Sequence, residues 1–486
     1  MVATSIGVEV TTGLRSGPTN SGTPAGVLHI VGLTERGPSD RSQRIVSLAQ
    51  YESVFGGRTA YASNMYDTAR MFFEEGGAEL VVSRAVGPKA VRGALTLQDS
   101  TGVNTAVVEA AHPGGYSSVL AVTVTVPKPG AFTIVISDGV DTLASFRNMS
   151  TVADLVSAAA SNPYVNIRDL GSQTAGEGAH PAVLTASPLT AGDDDRAAVD
   201  NASIIAALEL AEESAAGGAV AAPGYEADII GEALLEHAAA YNKVAILAPY
   251  EEASPTEAIA TATALQASAF GSYGGVFYPF LVVPDGSGTR KISPEGYVAA
   301  VRARAFNEVG FWQVPAGDRA RTRWVVGTAR SVNVAQNNEL SAGLVNGIVT
   351  TAGRTRLYNW TSLAADRDNL ALLTARDVLN NLTKQVEEVL EPLVFSTIDS
   401  KGHLLSSVES AVTSVLSPIA NAGGFYGREV DGEEVDPGYF IRVDSTNNTL
   451  ETGSQNTIVV AVSVRLSPTA ALVKVEIVKV ALGAAL

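Results

Sequence analysis

The 486-residue chain contains no cysteine. That excludes disulfide bridges, thiolate-held zinc and cysteine nucleophiles. Histidine is scarce: His29, His112, His180, His237 and His403 are the full set, and none pair at metal-ligand spacing. Positive charge is scarce too. With 33 Lys and Arg against 50 Asp and Glu, the net charge of −17 lacks the electrostatic footprint of a nucleic-acid binder. No apolar run approaches the length of a membrane span, and Met1-Val2-Ala3-Thr4 shows neither a basic flank nor an apolar core of a secretory signal. The expectation is a soluble protein made in the cytoplasm, with no direct membrane insertion, whose export would bypass the ordinary signal.

Chemistry-bearing motifs are also missing. No Gly-x-Ser-x-Gly, His-Glu-x-x-His or Ser-x-x-Lys arrangement occurs. Gly286-Ser287-Gly288-Thr289-Arg290-Lys291 is glycine-rich and basic but lacks phosphate-loop spacing, and Gly271-Ser272-Tyr273-Gly274-Gly275 precedes a strand rather than following one. Asp193-Asp194-Asp195 lacks the alternating ligands of a calcium loop. Glu251-Glu252 and Glu387-Glu388 are adjacent, and neighbours on a helix point about 100° apart, so neither makes a ready acid–base dyad. The expectation is a non-enzyme with no catalytic residue, cofactor or metal.

What is present is a strand–helix rhythm. Val27 to Val31 reads as a buried strand, with His29 a core or edge histidine. Tyr61 to Glu75 spaces Met65, Ala69, Phe72 and Phe73 on one helical face and stops at Gly76-Gly77, and Leu80 to Val86 is the next strand. After Asp195 the alternation resumes: helix 204–213, strand 218–222, helix 227–241, strand 244–248, a capping box Ser254-Pro255-Thr256-Glu257 opening a helix to Ser268, strand 276–283, and a helix capped by Ser293-Pro294-Glu295. Such alternation predicts a largely parallel sheet covered on both faces. Between these runs, Thr105–Glu109, Leu120–Val126 and Phe132–Ile136 read as short strands and Val152–Ala160 as a helix, a β-rich block set into the α/β one. After Gly310 come two long helices, 370–394 and 404–420, and three closing strands, 439–443, 457–466 and 472–480. A Gly/Pro/Ser/Thr linker at 13–25 tethers one more short strand, Ile6–Val10.

The fold class expected is therefore α/β and α+β multidomain. Residues 1–25 form an arm strand and linker, 26–93 with 196–309 an α/β domain, 94–195 an inserted β-rich domain, and 310–486 a C-terminal α+β domain ending in arm strands. Terminal strands need neighbours. They are expected to pair between molecules rather than within one.

Several stretches together resemble the tail sheath proteins of contractile phage tails and contractile injection systems. They are Tyr51-Glu52-Ser53-Val54-Phe55-Gly56-Gly57; Phe72 to Gly77 followed by Val81-Val82-Ser83-Arg84; Ala110 to Tyr116; Tyr278-Pro279-Phe280 to Pro284; Ala299–Arg304; Gly310 to Ala316; Leu344 to Ile348; and Leu466-Ser467-Pro468 to Val475. Their order spans nearly the whole chain. One departure is Tyr358-Asn359-Trp360-Thr361-Ser362, where the family commonly has a Trp-Gly-x-Arg-Thr run. The resemblance implies a helical sleeve around an inner tube, built by arms that cross to neighbouring subunits and complete a small shared sheet. Its partners would be itself, the inner tail tube protein, and baseplate and tail terminator proteins, with no nucleic acid. Its location would be a virion tail or injection particle assembled in the host cytoplasm. On this sequence the joining strands would carry Ile6, Val8 and Val10; Val459, Ala461 and Ser463; and Val473, Val475 and Ile477. The inserted domain would face outward and the helices of 370–420 lie nearer the tube. Two alternatives stay open: an α/β enzyme without a recognisable motif, and a passive structural polymer of capsid or surface-layer type.

Overall fold

The structure is a computed structural model that describes residues 26–172, 174, 176–210, 218–351, 353–431 and 433–470. The expected arm strands at Ile6–Val10 and Leu472–Val480 lie outside the described residues.

The chain opens with β1 (Leu28–Gly32), β2 (Gln43–Ile45), α1 (Leu48–Phe55), α2 (Ser63–Glu74) and β3 (Leu80–Arg84). Ser47 caps α1 by accepting from the Gln50 amide. Helix α2 ends where Gly76 turns to φ +97, and a side chain at Gly77 would collide with the Phe72 ring. The inserted segment follows: β4 (Ala94–Gln98), β5 (Asn104–Ala110), β6 (Ala121–Lys128), β7 (Ala131–Ser137), β8 (Thr142–Met149), α3 (Val152–Ala159), β9 (Val165–Asp169) and β10 (Leu184–Pro188). They form two antiparallel sheets, β4-β5-β9 and β10-β6-β7-β8. Period-2 patterning turns Val122, Val124, Phe132, Ile134 and Ile136 inward, and Leu155 of α3 joins them in a core separate from the rest.

The α/β layer then resumes with α4 (Asn201–Glu209), β11 (Ala219–Ala221), α5 (Ala227–Ala240), β12 (Val244–Leu247), α6 (Pro255–Gln266) and β13 (Gly274–Tyr278). Next come the hairpin β14 (Leu281–Asp285) and β15 (Gly288–Ile292), then α7 (Glu295–Glu308), β16 (Gly327–Thr328), α8 (Val334–Ala342), β17 (Val345–Thr351) and β18 (Arg354–Leu357). One eight-stranded sheet runs β18-β17-β13-β12-β11-β1-β3-β2. Its six inner strands are parallel, and antiparallel β2 and β18 close its edges. Alternate residues feed two cores: Leu28, Ile30, Val82 and Ile246 pack on α2 and α7, while Val31, Val220, Ala245 and Leu247 pack on α4, α5 and α6. Helix α7 is buried from Glu295 to Phe306.

Two sequence expectations shift here. The boundary at 309/310 divides this sheet, because β17 and β18 come from beyond it. Short strands ending in Thr350-Thr351 and starting at Arg354 do not announce themselves as sheet, yet β17 supplies the last parallel ladder. Ser293 does not cap α7 either; Pro294 holds the cap position without a side-chain bond, and Glu295 is buried instead of serving the first turn at the surface. The box at Ser254 and Glu257 forms in full.

The remainder comprises α9 (Leu373–Leu390), α10 (His403–Asn421), the ribbon β19 (Arg428–Val430) and β20 (Glu433–Asp436), then β21 (Tyr439–Arg442), α11 (Leu450–Ser454) and β22 (Ala461–Val464). Val378, Leu382, Val412, Leu416 and Ile419 join the two long helices to Phe306 and Phe311. A buried ion pair links α7 to α9: Asp377 Oδ1 accepts from Arg302 Nε at 3.0 Å and Nη2 at 2.8 Å.

Candidate functional site

Two of the stretches that carry the resemblance, those holding Arg84 and Pro113, are joined by a buried arginine. Arg84, at the end of β3, is fully buried; its guanidinium donates to Gly37 O at 2.9 Å and Pro113 O at 2.8 Å and sits 3.6 Å from Asp194. Asp194 also accepts from Arg196 at 3.0 Å. The acidic triplet is thus a clasp at the root of the inserted segment. Among the described residues no group of three His, Asp or Glu is placed to hold a metal. Asn346 does comparable work further on: Nδ2 donates to Val276 O and Thr361 O, and Oδ1 accepts from Thr361 N at 2.5 Å. The departing stretch 358–362 is therefore anchored, with Trp360 buried against Phe277 at 5.5 Å.

The catalytic candidates dissolve into structure. His29 is buried, its Nε2 2.9 Å from Ser83 Oγ, and burial holds it well below the usual imidazole pKa, ahead of the effect of nearby Lys243. Gly286-Ser287 is the tip of the β14–β15 hairpin. Glu251 and Glu252 both face Lys291, at 3.2 and 2.5 Å. A cavity of about 240 Å³ between the inserted segment and the first helices is lined by Arg36, His112 and Tyr116 among others. Burial pushes His112 down to about 4, so this imidazole is neutral at physiological pH.

The site with an unmet physical requirement is a two-stranded sheet. β21 and β22 pair antiparallel, Tyr439 with Val464, Phe440 with Ser463, Ile441 with Val462 and Arg442 with Ala461. Tyr439, Ile441, Val460 and Val464 lean on the α9–α10 core, while Phe440 is 56% exposed. Two strands are too few to be stable alone, so the helices carry this pair.

Register decides which main-chain groups are spent. Arg465 N donates to Gly438 O at 2.7 Å, which makes Ser463–Phe440 and Ala461–Arg442 the hydrogen-bonded pairs of the ladder. Beyond the ladder Tyr426 N donates to Arg465 O and Ser467 N to Gly424 O, so 424–426 takes over the same side. The N–H and C=O groups of Val462, Val464 and Leu466 therefore point the other way, and no strand pairs with that edge among the described residues. On β21, Tyr439 and Ile441 face outward in the same sense.

The sequence-selected residues occupy different places. Ala461 and Ser463 turn their backbone groups toward β21. Val459 is closed off: Asn448 Oδ1 accepts from Val459 N at 2.7 Å, and Asn448 and Asn447 Nδ2 both donate to Val459 O at 2.9 Å. Ile6, Val8, Val10, Val473, Val475 and Ile477 lie outside the described residues. The open edge thus belongs to the even-numbered set, which sequence pattern did not single out. Only the position of a neighbouring ladder bond reveals it.

No protein-family model matches the chain, and no curated protein matches it in sequence. Solved structures do. The sheath tail protein of Listeria innocua superposes with a TM-score of 0.61 at 12% identity, over 87% of this chain and 89% of that one. The sheath tail protein of Desulfitobacterium hafniense gives 0.55 at 14% identity, over 90% and 94%. The anti-feeding prophage helical sheath in its contracted state gives 0.55 at 14% identity, over 98% and 99%. At these identities the likeness is one of fold.

Proposed function

We propose that this chain is the sheath subunit of a contractile tail or injection particle. It polymerises into a helical sleeve around an inner tube and shortens to drive that tube through a target envelope. The observation that carries the reading is the open edge at Val462, Val464 and Leu466, set in a fold that matches contractile sheath proteins along almost its whole length.

An incoming strand would find directional main-chain partners there. In this reading residues 1–25 and the strand holding Val473, Val475 and Ile477 are the arms, each reaching a neighbouring copy. A contact that does not close on itself yields a helix rather than a ring. Residues 94–195 lie outward, and the α9–α10 pair nearer the tube. The tube protein, baseplate and tail terminator are the other partners, with no nucleic acid, no cofactor and no catalysis. Assembly takes place in the host cytoplasm. Firing is a transition between two packings of the same subunit.

Electron microscopy of the purified protein tests this, paired with a chain lacking residues 1–20. Full-length protein should form long tubes. The truncated chain should stay folded by circular dichroism and sediment as a small species. Intact tubes from the truncated chain, or only a small closed oligomer from the full one, would overturn the reading.

A further inference from the structure

We propose that a second contact, electrostatic in kind, joins copies of this chain: the acidic ribbon β19–β20 of one copy docks on an arginine face beside β18 of another. It rests on the open polymer proposed above, although its test does not.

The ribbon holds five acids, Glu429, Asp431, Glu433, Glu434 and Asp436, against one base, Arg428. Its register sets Glu429 opposite Glu434. Asp436 is matched internally by Arg465 at 3.0 Å. Among the described residues Glu429 and Asp431 have no ion-pair partner. Val430 and Val435 are 45% and 59% exposed. A lone hairpin with uncovered side chains and unopposed carboxylates is marginal on its own. What would cover it must bring cations.

This same chain carries them. Arg319, Arg321 and Arg323 lie on one loop, and Arg354 and Arg356 on β18. The two segments are joined by a bridge between Arg321 and Arg356 and by Thr322 N donating to Thr355 O at 3.1 Å. Asp318 answers Arg321 and Arg356, and Glu308 answers Arg319 at 3.4 Å. Arg323 and Arg354 have no ion-pair partner among the described residues. The loop is held rigid from beneath. Glu75, fully buried, accepts from the amides of Arg323, Trp324 and Val325 at 2.8 to 3.0 Å, and Arg304 Nη2 donates to Arg321 O at 2.9 Å. A backbone held in this way presents guanidinium groups, whose planar fork of donors suits carboxylate recognition.

A second copy is the occupant the charges favour. Copies with a net charge of −17 repel on average, so contact between them is cheapest where the local sign reverses. Ribbon and arginine face are different surfaces of one chain, so the contact is heterologous and leaves both outer ends open.

The test uses two full-length variants, Arg323→Glu/Arg354→Glu and Glu429→Lys/Glu434→Lys, each checked for folding by circular dichroism. Sedimentation velocity then reads self-association alone and in an equimolar mixture. Each variant alone should need about tenfold more protein to associate than wild type. In the mixture every face meets a ribbon of opposite charge, so association should return. High salt should weaken wild type and mixture alike. A mixture no better than its components would overturn the proposal, as would either variant associating like wild type. Loss in the arginine variant alone would point to a different acidic partner and also overturn it. Wild-type tubes indifferent to both variants would leave the sleeve standing without this contact. Charge-swap rescue in small closed oligomers would do the reverse.

Discussion

The open edge makes a prediction at single-residue register. Proline at Val462 removes an N–H that points away from β21, whereas proline at Ser463 removes one that the β21–β22 ladder uses. The outward set at Val462, Val464 and Leu466 offers three N–H and three C=O groups to an incoming strand. At about 0.5–1.5 kcal/mol net for each bond made, losing one of the three donors and keeping the partner strand off the proline ring costs about 1–3 kcal/mol per contact. Because about 1.4 kcal/mol is a factor of ten, the protein concentration at which tubes appear should rise about 10- to 100-fold for Val462→Pro. The folded monomer should be little changed, since Val462 is 38% exposed and its side chain lies outside the α9–α10 core. Ser463→Pro should do the opposite, lowering the thermal midpoint of the C-terminal part as the ladder to Phe440 fails. Turbidity and negative-stain microscopy across a concentration series read assembly; differential scanning calorimetry reads the monomer. Tubes from Val462→Pro at the wild-type threshold, with an unaltered monomer, would refute the idea that this edge receives a strand.

Two further perturbations probe the body that carries the edge. Asp377→Ala removes the carboxylate that pairs with the buried Arg302 guanidinium between α7 and α9 and should destabilise by about 3–5 kcal/mol, while Arg302→Met/Asp377→Leu should cost far less; chemical denaturation of the monomer measures both. Burial raises the Glu295 carboxyl to about 7, so the folded chain holds a proton there that the unfolded chain releases near the ordinary carboxylate pKa. The stability this group supplies is present below about 4.5 and lost as pH rises toward 7, so Glu295→Gln should gain on wild type progressively from pH 4.5 to pH 8 in thermal melts. Buried His29 and His237, the latter pushed down to about 3 by burial and then by Lys243, pull the other way: they withhold protons that the unfolded chain binds, so wild-type stability falls as pH drops below about 6.5.

How much of this was readable in the sequence follows physical range. Helices α2, α9 and α10 were legible because their apolar stripes are local, and the parallel inner strands other than β17 because apolar residues run together in them. β2 and β18 were not; edge strands as short and polar as Gln43-Arg44-Ile45 carry little period-2 signal. β8, β9 and β10 in the inserted segment were missed for the same reason, as in Thr142 to Met149, where Phe146 is buried among exposed neighbours. The clasp of Arg84 with Asp194 was invisible for another reason, since residues far apart in sequence leave no local pattern when they pair. At the candidate edge, composition placed a strand within 457–466 but selected its odd-numbered residues. Side-chain alternation tells which face a residue lies on and says nothing about which side its amide faces; that is decided by where the next strand lies, here by Arg465 and Gly438.

The placement of the buried ion pairs bears on where a sleeve built from this subunit could yield. Asp194 and Arg84 tie the inserted segment to the end of β3, and Arg302 and Asp377 tie α9 to α7, both pairs excluded from water. Breaking a buried pair of this kind is strongly unfavourable, so neither joint is a plausible hinge when subunits change packing. The β21–β22 pair is different. It is two strands wide, its solvent face carries exposed Phe440, no buried ion pair ties it to the body among the described residues, and side-chain amides such as Asn448 hold the Val459 backbone at its flank. Deformation should therefore concentrate between residue 424 and the described end at 470, with the large sheet moving as a rigid body. Hydrogen exchange on extended and contracted tubes checks this. Amide protection should differ between the two forms in 424–470 and match across β1, β3, β11 and β12; a contraction-linked change spread through those inner strands would mean that the subunit itself refolds rather than swings.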